Sequence, residues 1–203
     1  MSMLVPRKIP SPTSAATLRS AVALLTAALL LALLPGTGAG AAVDDSVALY
    51  KIQAGYLYQL TKFVSWPESA FSSATSPFRI CVTPQADIRP FLEPLQSRNT
   101  AGRAIAVAEL VTSDAIGQCQ VLVISGHDHD RLSEWLKILG TAPVLTVSAL
   151  DGFAERMGMI GFVVSGGKLK LDINLDNLQR NHLVASAKLL EVARRIHGGG
   201  SDP

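Results

Sequence analysis

Apolar and polar positions change rhythm along the chain, and each rhythm predicts a different element. Residues 21–34 form an apolar run behind Arg7, Lys8 and Arg19, stopped by Pro35-Gly36 and followed by small residues up to Ala42. Basic leader, apolar centre and small-residue exit are the order of a secretory signal. The run is shorter than the ~20 residues a membrane-spanning helix needs. Release near Ala39-Gly40-Ala41 is therefore favoured over a retained signal-anchor. Residues 1–41 are expected to be a removed signal peptide, 42–197 a single domain working in the periplasm, and 198–203 a disordered tail.

The second rhythm is helical. Asp44 to Val64 predicts a long first helix, with Asp44, Asp45 and Ser46 at its start and Trp66-Pro67 as its stop. Its apolar positions, from Val47 to Val64, fill more than the one stripe that a helix covering a single core face requires. Tyr50, Tyr56 and Tyr58, the three tyrosines of the chain, all lie in it. Either the helix is buried on both sides, or its second face meets another chain. On the second reading Tyr50, Tyr56, Tyr58 and Trp66 are candidate anchors of a partner or dimer interface.

Short β-branched runs follow. Phe78–Thr83, Arg103–Leu110, Gln120–Ser125 and Val144–Val147 predict strands, separated by helical or turn-like pieces at Asp87–Arg98, Thr112–Ile116 and Asp130–Leu139. Residues 120–125 contain almost nothing polar, as suits a strand covered on both faces of a parallel sheet. Met159–Val164 and Lys168–Ile173, joined by Ser165-Gly166-Gly167, predict an antiparallel hairpin at the sheet edge, with Lys168, Lys170 and Asp172 on a wet face. Asn174–Ile196 predicts helix in two pieces. Asn174 caps the first, Leu183, Ala187, Leu190, Val192, Ala193 and Ile196 line the second, and Arg194 and Arg195 sit at its end. The sum is an α/β fold: a three-layer sandwich with a mostly parallel sheet, an antiparallel C-terminal hairpin, a long N-terminal helix and C-terminal helices.

Charge removes one class of function. Lys and Arg total 18 against 16 Asp and Glu. Three of the basic residues belong to the leader, which holds no acidic one, so the mature chain is close to neutral. It lacks the clustered basic residues of a nucleic-acid surface. The two cysteines, Cys81 and Cys119, would be exported, and an even number of thiols outside the cytoplasm suggests a bridge. Two separate buried thiols, or an intermolecular bridge, are the alternatives.

One cluster invites chemistry. His127-Asp128-His129-Asp130 follows the third strand, at the end where α/β folds place their sites. Two imidazoles and two carboxylates could bind zinc and support a hydrolase. Arg131 stands where a metallo-β-lactamase-like motif would need its last histidine, and only His182 and His197 remain elsewhere. The simpler reading is a turn at Gly126 with Asp128 or Asp130 capping the next helix. No nucleophile elbow, P-loop or Cys-x-x-Cys centre occurs, and Gly158 to Gly161 reads as a turn or bulge. Asp151, Glu155, Asp172 and Asp176 read as surface and cap residues. No catalytic residue, metal ligand or cofactor is assigned, and the domain reads as a binding or regulatory one.

An ordered set of motifs sharpens this. Phe63-Val64-Ser65-Trp66-Pro67, Phe78-Arg79-Ile80-Cys81-Val82, Cys119-Gln120-Val121-Leu122-Val123-Ile124-Ser125, Val144-Leu145-Thr146-Val147-Ser148 with Gly152-Phe153-Ala154, and Asn174-Leu175-Asp176 with Lys188-Leu189-Leu190-Glu191-Val192-Ala193 stand in the order of the YfiR-like family. From Tyr50 to Ile196 the chain is similar to that family. The resemblance implies a non-enzymatic periplasmic repressor that binds the sensor domain of an inner-membrane diguanylate cyclase in cyclic-di-GMP signalling. It also implies an OmpA-like outer-membrane lipoprotein that sequesters the repressor, a homodimer, and a Cys81–Cys119 disulfide. A small-ligand sensor for another signalling partner is the alternative function.

Overall fold

The structure is a computed structural model that describes residues 39–199. Most of the expected leader, and positions 200–203 of the expected tail, lie outside the described residues. The chain divides between Ala42 and Val43, and the fold is that of the unit from Val43 onward. No helix among the described residues is long and apolar enough to cross a membrane.

Among the described residues, ten strands occur in chain order: β1 (Val64–Ser65), β2 (Phe78–Val82), β3 (Asn99–Thr100), β4 (Arg103–Glu109), β5 (Val121–Ile124), β6 (Leu145–Ser148), β7 (Ile160–Ser165), β8 (Lys168–Asn174), β9 (Val184–Ala185) and β10 (Arg195–His197). Eight of them make one sheet in the order β10-β8-β7-β6-β5-β2-β4-β3, and β1 pairs with β9 apart from it. Pairing is parallel from β4 through β2, β5 and β6 to β7. It turns antiparallel at the β7–β8 hairpin and between β3 and β4. The β-branched runs explain the centre: every residue of β5 and β6 is buried, as strands covered on both faces require.

The helices are α1 (Ala39–Phe63), α2 (Arg89–Leu92), α3 (Leu132–Leu139), α4 (Phe153–Arg156), α5 (Leu175–Arg180) and α6 (Ala187–Glu191). They lie on both faces of the sheet. Tyr56 of α1 meets Phe162 of β7 edge to face, with ring centroids 6.3 Å apart. Successive strand residues point to opposite faces. The neighbour of Phe162, Gly161, accordingly lies under α4, where an added Cβ would sit 3.5 Å from the Ala154 nitrogen. Close packing also forces a glycine at 158, since an added Cβ there would fall 2.0 Å from the Phe153 ring.

Several expectations need correction. α1 begins at Ala39, before the expected caps Asp44, Asp45 and Ser46, because the alanine-rich segment ahead of them is itself helix-forming. It ends at Phe63, where the β-branched Val64 turns to pair with Ala185. The hairpin is not the sheet edge, since β10 lies beyond β8 in parallel register, Ile196 beside Ile173. The second C-terminal helix shrinks to the five residues of α6, capped by the Ser186 hydroxyl. Its expected apolar face is broken up: Leu183 is buried, while Val192 and Ile196 are exposed.

Arg194 explains this rearrangement. Its Nε donates to Asp172 Oδ1 at 2.8 Å and its Nη2 to Asp172 Oδ2, while its backbone N–H donates to the Leu171 carbonyl at 2.7 Å. The hydrogen bonds to Asp172 hold the guanidinium charged, with its pKa raised. Arg194 therefore draws the chain beside β8 instead of ending a helix, and Asp172 is buried rather than wet. Asn174 caps α5 as expected, accepting from the Asn177 N–H at 2.9 Å.

Cys81 and Cys119 form the disulfide, with Cα atoms 5.8 Å apart. Cys81 lies in β2 and Cys119 just before β5, so the bond staples two central neighbours. Gln120 ties the same region: it accepts from the Arg79 N–H at 2.7 Å through Oε1 and donates to the Ala70 carbonyl at 2.6 Å through Nε2.

Candidate functional site

α1 lines two concave surfaces of the fold. Its inward stripe of Ala54, Leu57 and Leu60 is buried. Beside that stripe, half-buried aromatics pack against the rest of the fold. Tyr50 stacks on Phe91 of α2 at 5.6 Å and donates to Asp87 Oδ2 at 3.2 Å. Burial, then the Asp87 charge and the hydrogen bond to it, push the Tyr50 hydroxyl up, so it remains a donor. Tyr56 donates to the Leu169 carbonyl at 3.4 Å. Tyr58 is flanked by the Lys62 ammonium, 4.0 Å from the ring centroid, and by the Arg98 guanidinium at 5.0 Å. Its pKa is lowered, first by the hydrogen bond from Lys62. Trp66 donates to the Gln120 carbonyl at 2.9 Å and packs edge-on to Phe78 at 4.9 Å.

The first concavity is a groove of about 430 Å³ between Ile52, Gly55, Tyr56, Gln59 and Phe63 of α1 and Leu171, Leu189 and Val192 of the C-terminal region. Its wall is apolar and open: Ile52 is 49% and Val192 62% exposed. A face of this composition suits contact with another protein.

The second concavity, about 270 Å³, lies under the N-terminal half of α1 at the carboxyl ends of β2, β5 and β6. It takes in His127 but not the whole histidine cluster. His127 Nε2 lies 3.3 Å from Asp87 Oδ2, whereas the exposed His129 pairs only with its neighbour Asp130, at 3.4 Å. Among the described residues, no three His, Cys, Asp or Glu side chains gather as a metal-binding group. The expected cap is also corrected: Ser125 begins the 3-10 turn Gly126–Arg131, its Oγ accepting from the His127 N–H at 3.3 Å, because it holds the extended backbone a cap needs. α3 starts only at Leu132. Asp128 is buried inside the turn, with no partner for Oδ2 among the described residues.

Sequence reasoning missed Asp87 and Gln53. Asp87 stands only as the first residue of the expected helical or turn-like piece Asp87–Arg98, and its partners come from 37 and 40 positions away. Gln53 left one trace in the sequence: it is a polar residue on the largely apolar inward stripe of a helix.

The family profile of DUF4154, YfiR/HmsC-like, matches residues 50–194. The chain belongs to the YfiR/HmsC-like family. The match runs from Tyr50 to Arg194 and so takes in the disulfide, both concavities and the Asp172–Arg194 pair. No curated protein sequence matches significantly. Among solved structures, a conserved domain protein from Vibrio cholerae O1 biovar eltor strain n16961 is similar at 10% identity and a TM-score of 0.48, over 70% of this chain and 59% of that one. The ABC domain in complex with L-Trp from Streptococcus pneumonia is similar at 9% identity and a TM-score of 0.43, over 59% of this chain and 55% of that one. The YfiR/HmsC-like chain thus spans little more than half the length of either structure.

Proposed function

We propose that this YfiR/HmsC-like protein is a periplasmic regulator of cyclic-di-GMP signalling that works by binding, without catalysis. The reading is carried by the family match over residues 50–194. In its finer form, the protein represses an inner-membrane diguanylate cyclase by binding the inactive state of its sensor domain more tightly than the active one. An OmpA-like outer-membrane lipoprotein would relieve repression by sequestering it, and a homodimer would be the working unit.

The proposed contact surface is built from Tyr50, Tyr56 and Tyr58 of α1 and from Trp66 just beyond its end, with Ile52 and Val192 at its most open part. The composition supports this, since half-buried aromatics beside exposed aliphatics are the material of interface anchors. Deletion of the gene tests the reading. Repression predicts a rise in cellular cyclic-di-GMP and co-purification of the protein with a cyclase sensor domain. Unchanged cyclic-di-GMP with no co-purifying cyclase contradicts it.

A further inference from the structure

We infer that the crevice at the carboxyl ends of β2, β5 and β6 is a binding site for a small amine, a molecule joining a protonated amino group to a compact apolar body. Topology makes the crevice. From β2 the chain steps to β4 on one side, then returns across to β5 on the other. The connections leaving β2 and β5 therefore run apart, and such a switch point is where open α/β sheets hold ligands. The cavity of about 270 Å³ occupies that point, reached by Ala86-Asp87-Ile88 after β2 and Ser125-Gly126-His127 after β5.

Two polar groups in it are unfinished. Gln53 lines the cavity and is only 4% exposed, yet its carboxamide has no hydrogen-bond partner among the described residues. Its amide atoms are not sealed off but open to the cavity, where they can pair with whatever occupies it. At the mouth, Tyr50 and His127 both engage Asp87 through the same oxygen, Oδ2. The carboxylate is thereby oriented, and Oδ1 accepts nothing among the described residues.

These features select the ligand. Among the described residues of the lining, Asp87 supplies the only carboxylate, which favours a cation, and a charge-assisted bond from an ammonium to Oδ1 would be the strongest contact on offer. Behind it, Ile88, Val123, Ile124 and Phe162 present an apolar wall for the body of the molecule. Gln53 can accept or donate between the two. The volume limits the ligand to about the size of one amino acid. This site shares α1 with the proposed contact surface but does not depend on the cyclase reading.

The test uses one body with three heads: phenethylamine, 2-phenylethanol and phenylacetate, titrated into the purified exported protein by calorimetry, with amide shifts in NMR to locate the site. Phenethylamine is expected to bind with a Kd below about 1 mM, and the neutral and anionic analogues at least about tenfold more weakly. Shifts should centre on residues 53, 87 and 127. Asp87→Asn, at a position more than half exposed and so tolerant for folding, should weaken the amine about tenfold. Gln53→Leu should weaken it without lowering the melting temperature, because the apolar variant removes an unpaired amide. Failure of all three probes to bind, equal affinity for phenylacetate, or shifts centred elsewhere would each overturn the site. None of these results bears on cyclase capture, so the two readings can fail separately.

Discussion

The two sides of α1 do different work with the same helix. Toward the sheet switch point, Tyr50, Gln53, Asp87 and His127 line a partly polar crevice. On its other side, Ile52, Tyr56 and Phe63 line an open apolar groove with Leu171, Leu189 and Val192. Between them runs the buried stripe of Ala54, Leu57 and Leu60. Shape and polarity therefore separate the proposed small-molecule surface from the proposed macromolecular one along one helix, and a substitution can remove one while leaving the other.

The largest expected effect spares neither side. Replacing Cys81 and Cys119 by serine releases the bond across their 38-residue separation and should lower stability by about 4 kcal/mol in the chain-entropy account. A urea unfolding midpoint measures it. Leu57→Ala comes next, at about 3 kcal/mol, because a fully buried leucine loses its transfer energy and leaves a void. Since Leu57 belongs to the buried stripe that seats α1, the same variant should weaken amine binding and partner capture together. Loss of only one would show that the helix does not move as a unit.

Much of the sheet was legible and its C-terminal margin was not. Strands β2, β5 and β6 announce themselves as β-branched runs bounded by Pro84 and Pro143, and Asn174 announces the helix it caps. Strand β10 contains Arg195 and His197, which carry no strand signal, and it forms because Arg194 is held by Asp172, 22 residues earlier. Strand β3 has the same character: Asn99 and Thr100 pair with β4 only through a tight turn in which Ala101 and Gly102 both take positive φ. The candidate crevice was half visible. The His127 cluster marked the correct end of a strand, but its counterpart Asp87 is brought to it by tertiary folding alone. Local pattern records burial and turns, and it does not record which distant side chains meet.

A smaller effect sharpens the contrast in electrostatics. Tyr50, beside a carboxylate, has its pKa raised, and Tyr58, beside Lys62 and Arg98, has its pKa lowered. In an alkaline NMR titration Tyr58 should ionise below the ordinary tyrosine value and Tyr50 above it. The signs for stability then oppose. Tyr50 contributes stability that is complete below the unfolded pKa and lost as pH rises through the folded one. Tyr58, whose ionised form is favoured in the fold, contributes stability present above the unfolded pKa and lost as pH falls through the folded one. Asp87→Asn should return Tyr50 part of the way, leaving the effect of burial.

The central claim is that this chain regulates by contact through the flank of α1. The direct measurement is capture of a diguanylate cyclase sensor domain from detergent-solubilised membranes by the wild-type protein and by Ile52→Glu. Ile52 is half exposed, so the substitution should change stability by no more than about 0.5 kcal/mol. The account predicts strong capture by the wild type and little by the variant, with phenethylamine binding equal in both. Equal capture by the two proteins, or none by the wild type, would contradict it.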